Sequence, residues 1–487
     1  MTVRKRAYVE TYGCQMNVSD GELMSGILAA EGYEIVDRPG EADVVLVNTC
    51  AVREHAERRV LGRVAQLNGL KQERGGMILG VTGCMAQRMG EDLLRKAPWV
   101  DLVMGPDGYR SLPGALRELA ERGPGDSGEH GLAPRASERG RNGRHGSRSL
   151  TVLNLDPRES YEELEPLRTS RVSAWVSIQR GCDHRCTFCI VPHVRGPEKN
   201  RAPGSILAEI VEVAEKGITE VTLLGQTVNS YRYREDDEWF FPRLLGEVAR
   251  TPGIRRVRFT SPHPNDVTPE LVEVMASEEA VCEQLHLPLQ AGNDRTLRRM
   301  LRRHTVDDFL EKVDMVREAV PDIALSTDLI AGFPGETEAE FQDTLDVVAR
   351  LRFDEAFTYR YSPREGTPAT RLPPGDFISP EIGQDRLDRL IDLTRTIQAE
   401  INRHEVGRME EVLVEKEGRE EGHMLGRTRR GKVAVFPGDG ELLGTYRTVE
   451  LVRTTGATFA AVQREGKGST PPGDEAFPEE EKARRAS

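Results

Sequence analysis

The sequence predicts an α/β protein in three parts: an N-terminal doubly wound parallel sheet, a central partial barrel of six strand-helix units, and a small C-terminal β-barrel. Three observations carry this expectation. Short apolar runs alternate with helical stripes over residues 7–122, and again from about 171 to 402, which is the pattern of parallel sheets with helices packed on them. From about 408 onward the runs become short alternating strands separated by glycine-rich turns, as in small β-barrels. At 487 residues the chain is also too long for one ordinary domain.

In the N-terminal part the strand-like runs are Ala7 to Gly13, Asp43–Val47, Met77–Val81 and Trp99–Val103. Val52, Ala56, Val60, Val64 and Leu67 recur at helical spacing, and Ser19 with Glu22 reads as a capping box ahead of another helix. Cys14, Cys50 and Cys84 each close a strand. In doubly wound sheets ligands gather beyond the carboxyl ends of the strands, near where the strand order reverses. Three thiols at equivalent strand ends therefore predict one shared cluster site rather than three unrelated core cysteines. Residues 123–150 are rich in Gly, Ser and Arg, with almost nothing apolar. Such a stretch cannot bury enough surface to offset its ordering entropy. The expected division is 4–122 for the first domain, 123–167 for a disordered insertion and linker, 168–402 for the central domain, 405–467 for the terminal barrel and 468–487 for a disordered tail.

The central part carries the strongest motif. Cys182, Cys186 and Cys189 lie in the spacing C-x3-C-x2-C, directly after the apolar run Ala174–Ile178. Three thiols so close together point to a metal centre at a strand end. A structural zinc needs four ligands, so His184 or His193 would have to complete a Cys3His set. The reading favoured is an iron-sulfur cubane, which has four irons and would keep one open for a small molecule. The strand-like runs here are Val172–Ile178, Glu220–Leu224, Val257–Phe259, Glu283–Leu287, Ile323–Ile330 and Phe357–Tyr361. Six units are too few for the eightfold barrel. Gln226, Ser326 and Asp328 sit in or beside the loops that follow three of these strands, where short polar groups can bond a ligand.

The remaining features narrow the setting. Seven cysteines in a chain without a secretory signal argue for ligands or buried thiols, and Cys282 is expected to be a core thiol. No apolar run approaches the roughly 18 residues of a membrane span, so a cytoplasmic protein with no membrane partner is expected. A net charge of −13 argues against bulk binding to nucleic acid. In the terminal barrel, however, Arg427, Arg429, Arg430 and Lys432 are placed to contact phosphate.

C-x3-C-x-aromatic-C resembles the signature of the radical S-adenosylmethionine (SAM) enzymes. The order of the parts resembles their methylthiotransferase branch over almost the whole chain. The residues that carry this likeness are Thr11–Asn17, Asn48–Glu54, Gly83–Arg88, Gln179–Cys182, Cys189–Pro192, Leu224–Gln226, His286–Gln290 and Gly332–Thr337. Gly13-Cys14-Gln15-Met16-Asn17 matches neither sister branch, one acting on threonylcarbamoyladenosine in tRNA and the other on a ribosomal-protein aspartate. Thr227 departs from the usual Asn after Gly-Gln. The resemblance implies two [4Fe-4S] clusters, one on Cys182, Cys186 and Cys189 and an auxiliary one on Cys14, Cys50 and Cys84. It also implies SAM, with Phe188 beside its adenine and Gln226, Ser326 and Asp328 as further contacts. The implied reaction is methylthiolation at C2 of N6-(dimethylallyl)adenosine at tRNA position 37. The implied terminal module is a TRAM domain on the tRNA anticodon stem-loop, and the implied reductant is a flavodoxin- or ferredoxin-type donor. A non-catalytic iron-sulfur RNA-binding regulator is the alternative from another class.

Overall fold

The computed structural model describes residues 4–51, 54–121, 149–234 and 237–464. The chain divides into two compact units between Gln398 and Ala399. No helix among the described residues is long and apolar enough to cross a membrane.

The first unit opens on a six-stranded parallel sheet. Its strands are β1 (Arg6–Tyr12), β2 (Glu34–Ile35), β3 (Val44–Thr49), β4 (Ile78–Gly83), β5 (Leu102–Met104) and β6 (Leu150–Val152), in the order β2-β1-β3-β4-β5-β6. Alternation along β3 explains why it is central. Val44 and Leu46 enter one buried cluster with Leu23, Leu28 and Leu116, while Val45 and Val47 enter a second with Val60, Val64 and Leu67. A strand with both faces covered by helices must be apolar at every position, and all six residues of β3 are buried.

Two expectations change here. The linker expected over 123–167 is corrected at its C-terminal end, because Leu150–Val152 forms the edge strand β6 and Tyr161 is buried. The reason is local: Leu150 and Val152 pack against the first core cluster, and Leu153 packs against the second. Residues 123–148 of that insertion lie outside the described residues, as do Val52 and the tail from 465. Ser19 and Glu22 do not cap a helix either. Helix α1 (Gln15–Ala30) begins as soon as β1 turns, with Cys14 at its cap position. Glu22 instead accepts hydrogen bonds from the backbone and hydroxyl of Thr169, at 2.9 and 2.8 Å.

The same unit continues into six parallel strands in sequence order. Ser173–Ser177, Glu220–Leu224 and Arg256–Phe259 form one half, and Gln284–His286, Ala324–Ala331 and Glu355–Arg360 form the other. A parallel bridge between Val257 and Val281 joins the halves, so the partial six-unit barrel is present. The Thr337–Glu340 capping box opens the helix Glu338–Leu351 as its sequence suggests, and Cys282 is buried in the core.

A buried ionic knot ties this barrel to the N-terminal sheet. Asp107, just after β5, accepts from Arg180 Nη2 at 3.1 Å, from Lys199 Nζ at 2.7 Å and from the Asp156 amide at 2.9 Å. Arg180 also lies over the Tyr161 ring, 3.5 Å from its centroid.

In the second unit the strands Met409–Glu417, His423–Thr428, Val433–Pro437, Thr458–Gln463 and Tyr446–Thr454 close into a barrel in that order. Val412, Val414, Phe436, Leu451 and Phe459 fill it. Three of the basic residues expected to meet phosphate are engaged within the unit. Arg427 pairs with Glu415, Arg430 pairs with Glu405 and Glu410, and buried Lys432 donates to Asn402 at 3.0 Å. Their partners come from the adjacent strand Met409–Glu417 and from the helix that precedes it.

Removing the carboxylate of Asp107 leaves two cations buried without a counter-charge. Asp107→Ala is expected to cost about 3–5 kcal/mol, read as a lower urea midpoint and earlier proteolysis between the sheet and the barrel.

Candidate functional site

The strand order reverses between β1 and β3, and this is where the first cysteine trio collects. Cys14 follows β1, Cys50 follows β3, and Cys84 opens the short helix Cys84–Met89 after β4. Gly13 turns the chain with φ +131°, and a Cβ there would collide with Cys50 Cβ. Only glycine lets the first two cysteine loops approach so closely. Asn17 and Asn48 are fully buried beneath them, with Asn48 Nδ2 donating to the Asn17 carbonyl at 2.7 Å. Cys14 Sγ lies 3.3 Å from Asn17 Oδ1. The hydrogen bond to Cys50 lowers the Cys14 thiol to about 6, helped by the charge of Arg195, whereas burial raises Cys84.

The second trio hangs from the first barrel strand. Gly181, at φ +74°, packs so tightly on Pro197 that a side chain would strike its carbonyl. The Cys182 amide bonds Gly196 O at 3.2 Å, and the Cys189 amide bonds Cys186 O at 3.0 Å. Thr187 is fixed on both sides: its amide and hydroxyl reach Met300 O and Arg299 O, and its carbonyl accepts from Ala369. Cys182 Sγ meets Thr227 Oγ1 at 3.1 Å, and Arg302 Nη1 donates to Cys186 Sγ at 3.8 Å. Burial raises both Cys182 and Cys189, the latter to about 12. A metal bound by these sulfurs must displace their protons.

All seven cysteines are free thiols. Tetrahedral zinc, with Zn–S about 2.3 Å, draws its sulfurs to roughly 3.8 Å from one another. Among the described residues neither trio has three ligand atoms within 4.8 Å, and the one group that does is His184, His263 and Asp266, with no sulfur. His184 stacks on His263 at 3.9 Å between ring centroids and points Nε2 at Asp266. His184, one of the two histidines considered as a fourth zinc ligand, is thus turned elsewhere. Three cysteines with no fourth protein ligand beside them among the described residues fit a cubane cluster that keeps one iron open.

The two trios meet through a residue that the sequence did not single out. Arg195 ends the short helix Val191–Arg195, which starts two residues after Cys189. Its Nε donates to Cys84 Sγ at 3.1 Å, and its Nη2 pairs with Asp20 on α1 at 2.6 Å, with side chains 3% and 4% exposed. Ala51, Cys84, Ile190 and Val194 form one buried apolar cluster beside it. The neighbours of Cys50 and of Cys189 are therefore packed together.

The remaining sequence-predicted residues fall into two groups. Gln226 lies next to Thr227, and its Oε1 is buried without a partner. Phe188 packs on Ala291, Leu297, Met300 and Phe333. Ser326 and Asp328 are linked by His286, whose Nδ1 is 3.0 Å from Ser326 Oγ and whose Nε2 is 3.4 Å from Asp328 Oδ2. His286 stands opposite Ser326 in the strand register, a pairing that no sequence spacing reveals.

Comparison with known proteins decides the family. Residues 6–105 match the uncharacterized protein family UPF0004, residues 176–348 the radical SAM superfamily, and residues 403–458 the TRAM domain. A tRNA-2-methylthio-N(6)-dimethylallyladenosine synthase of Chloroherpeton thalassium is 42% identical, covering 94% of this chain and 95% of the relative. The chain belongs to that family. A second member, from Frankia casuarinae, is 46% identical over 89% of this chain and 76% of its own length. Among solved structures, the radical SAM methyltransferase TsrM of Kitasatospora setae shares the fold, with TM-score 0.54, 15% identity, and coverage of 75% of this chain and 77% of that one.

Truncating Arg195 strands Asp20 in the interior. Arg195→Leu is expected to lose about 3–5 kcal/mol of stability and Arg195→Lys less, measured by chemical denaturation of the metal-free protein.

Proposed function

We propose that this protein methylthiolates C2 of N6-(dimethylallyl)adenosine at position 37 of tRNA, with SAM and two [4Fe-4S] clusters. Membership of the synthase family makes it a radical SAM tRNA methylthiotransferase. The observation that supports the finer reading is the meeting of the two cysteine trios across Arg195, Cys84 and Ile190. A hydrogen on an aromatic carbon is neither acidic nor a leaving group, so acid-base side chains have no purchase on it. Bound cluster and SAM supply the one-electron chemistry that can remove it, and a second centre supplies the sulfur.

The protein's part is to bind, orient and exclude water. In this reading Cys182, Cys186 and Cys189 hold the first cluster, with Thr227 and Arg302 fixing two of the sulfurs. Cys14, Cys50 and Cys84 hold the second, with Arg195 balancing its thiolate charge. The unpartnered Gln226 Oε1, Phe188 and the Ser326–His286–Asp328 row are assigned to SAM. Residues 4–122, together with the edge strand Leu150–Val152, form the domain of the second cluster, and 168–402 the radical SAM domain. Residues 405–467 form the module that takes the anticodon stem-loop. The setting is the cytoplasm, and the electron comes from a flavodoxin- or ferredoxin-type donor.

Anaerobic reconstitution is expected to load about eight irons per chain. The Cys14→Ala, Cys50→Ala, Cys84→Ala variant should load about four; an unchanged iron content would remove the second cluster from the scheme. In cells lacking the protein, nucleoside analysis of tRNA should show the dimethylallyl nucleoside without its methylthio group. A normal methylthio level would assign the chain another substrate.

A further inference from the structure

Arg185, Arg298, Leu301, Arg302 and Arg303 line a cavity of about 230 Å³. Arg185 lies inside the cysteine loop, between Cys182 and Cys186. Arg298 closes the helix Asp294–Arg299, and the chain then turns at Leu301 with φ +54°. Arg185, Arg298 and Arg303 are exposed, and no carboxylate pairs with any of them among the described residues. Their neighbours differ: Arg295 pairs with Glu340, and Arg299 with Asp376. In a chain with net charge −13, three unpaired like charges around one hollow repel one another until an anionic surface arrives.

Two details say which kind of anionic surface. Leu301, 54% exposed, lines the same cavity as the arginines, so the patch combines an exposed apolar side chain with charge, as protein interfaces do. Beneath it, buried Arg302 donates Nη1 to Cys186 Sγ at 3.8 Å and Nη2 to Pro288 O at 2.8 Å. The patch therefore sits one side chain away from a sulfur of the loop. Burial, with the charges of Arg302 and Arg303 added, holds the neighbouring His263 well below its usual pKa, so this histidine stays neutral beside the patch.

We propose that the patch of Arg185, Arg298, Leu301 and Arg303 is the docking surface for an acidic one-electron carrier protein of the flavodoxin or ferredoxin kind. The proposal rests on the functional reading above and adds the place where the electron enters. Docking moves one electron and no atoms. The carrier's flavin or iron centre is oxidised by one electron and the centre on the cysteine loop is reduced by one, with no bond formed or broken. Small, charge-steered interfaces suit such short encounters.

The test compares the full-length chain with an Arg298→Glu/Arg303→Glu variant. Binding of a flavodoxin and of a plant-type ferredoxin is measured by calorimetry at low and high ionic strength, on protein with and without iron. At least one carrier is expected to bind the wild type in a salt-dependent way, and the variant about tenfold or more weakly. An Arg298→Lys/Arg303→Lys variant should retain most of the affinity, which separates charge from misfolding. SAM cleavage driven by dithionite should be the same in all three proteins. If neither carrier binds the wild type, or both bind the Glu variant as well as the wild type, the proposal is overturned. It is equally overturned if the variant keeps its carrier affinity and loses tRNA affinity, which would give the patch to RNA phosphates. Failure of dithionite-driven cleavage in the wild type would instead count against the functional reading.

Discussion

The ion pair between Arg195 and Asp20 is the constraint on which the rest depends. Taking both charges out of water is costly, and the cost is offset only while α1 of the sheet and the helix after the cysteine loop stay in register. The same guanidinium donates to Cys84. The geometry that satisfies the pair therefore also sets the spacing between the two cysteine trios. A second ionic knot, around Asp107, repeats the device on the far side of the loop with Arg180 and Lys199. Buried ion pairs of this kind favour one relative placement of two packed parts more than they add stability.

Between these two fastenings, glycine controls how closely the backbones approach. Gly13 lets the β1 turn rest on Cys50, and Gly181 lets the loop rest on Pro197. The thiols are consequently positioned by rigid strand ends and by short, hydrogen-bonded turns. Such preorganisation keeps the two cysteine trios at a fixed separation.

Much of this was legible in the sequence, and the exceptions share a cause. Apolar runs located the strands of both parallel sheets because continuous burial leaves a one-dimensional trace. The six cysteines were legible because their spacing and their strand-end positions are sequence properties. Leu150–Val152 was missed because a three-residue edge strand in a polar stretch has no period to read. Ser19 and Glu22 misled because a capping pattern does not say whether the helix has already begun. Arg195, Asp107 and His286 act through partners 175, 73 and 40 residues away, and local patterns carry no signal of that kind. The basic residues of the terminal barrel looked available because their carboxylate partners come from other strands and from the preceding helix.

The bridge between Val257 and Val281 has a consequence for ligand binding. Two backbone hydrogen bonds, Val257 N to Ala280 O and Cys282 N to Val257 O, stitch the halves of the central barrel at this seam. The cysteine loop and Gln226 follow strands of one half, while His286, Ser326 and Asp328 belong to the other. A small molecule held by Gln226 and Ser326 together would act as an extra rung across this seam. Occupancy and closure of the barrel would then be one equilibrium, so that the molecule to be cleaved also stiffens the vessel in which cleavage occurs.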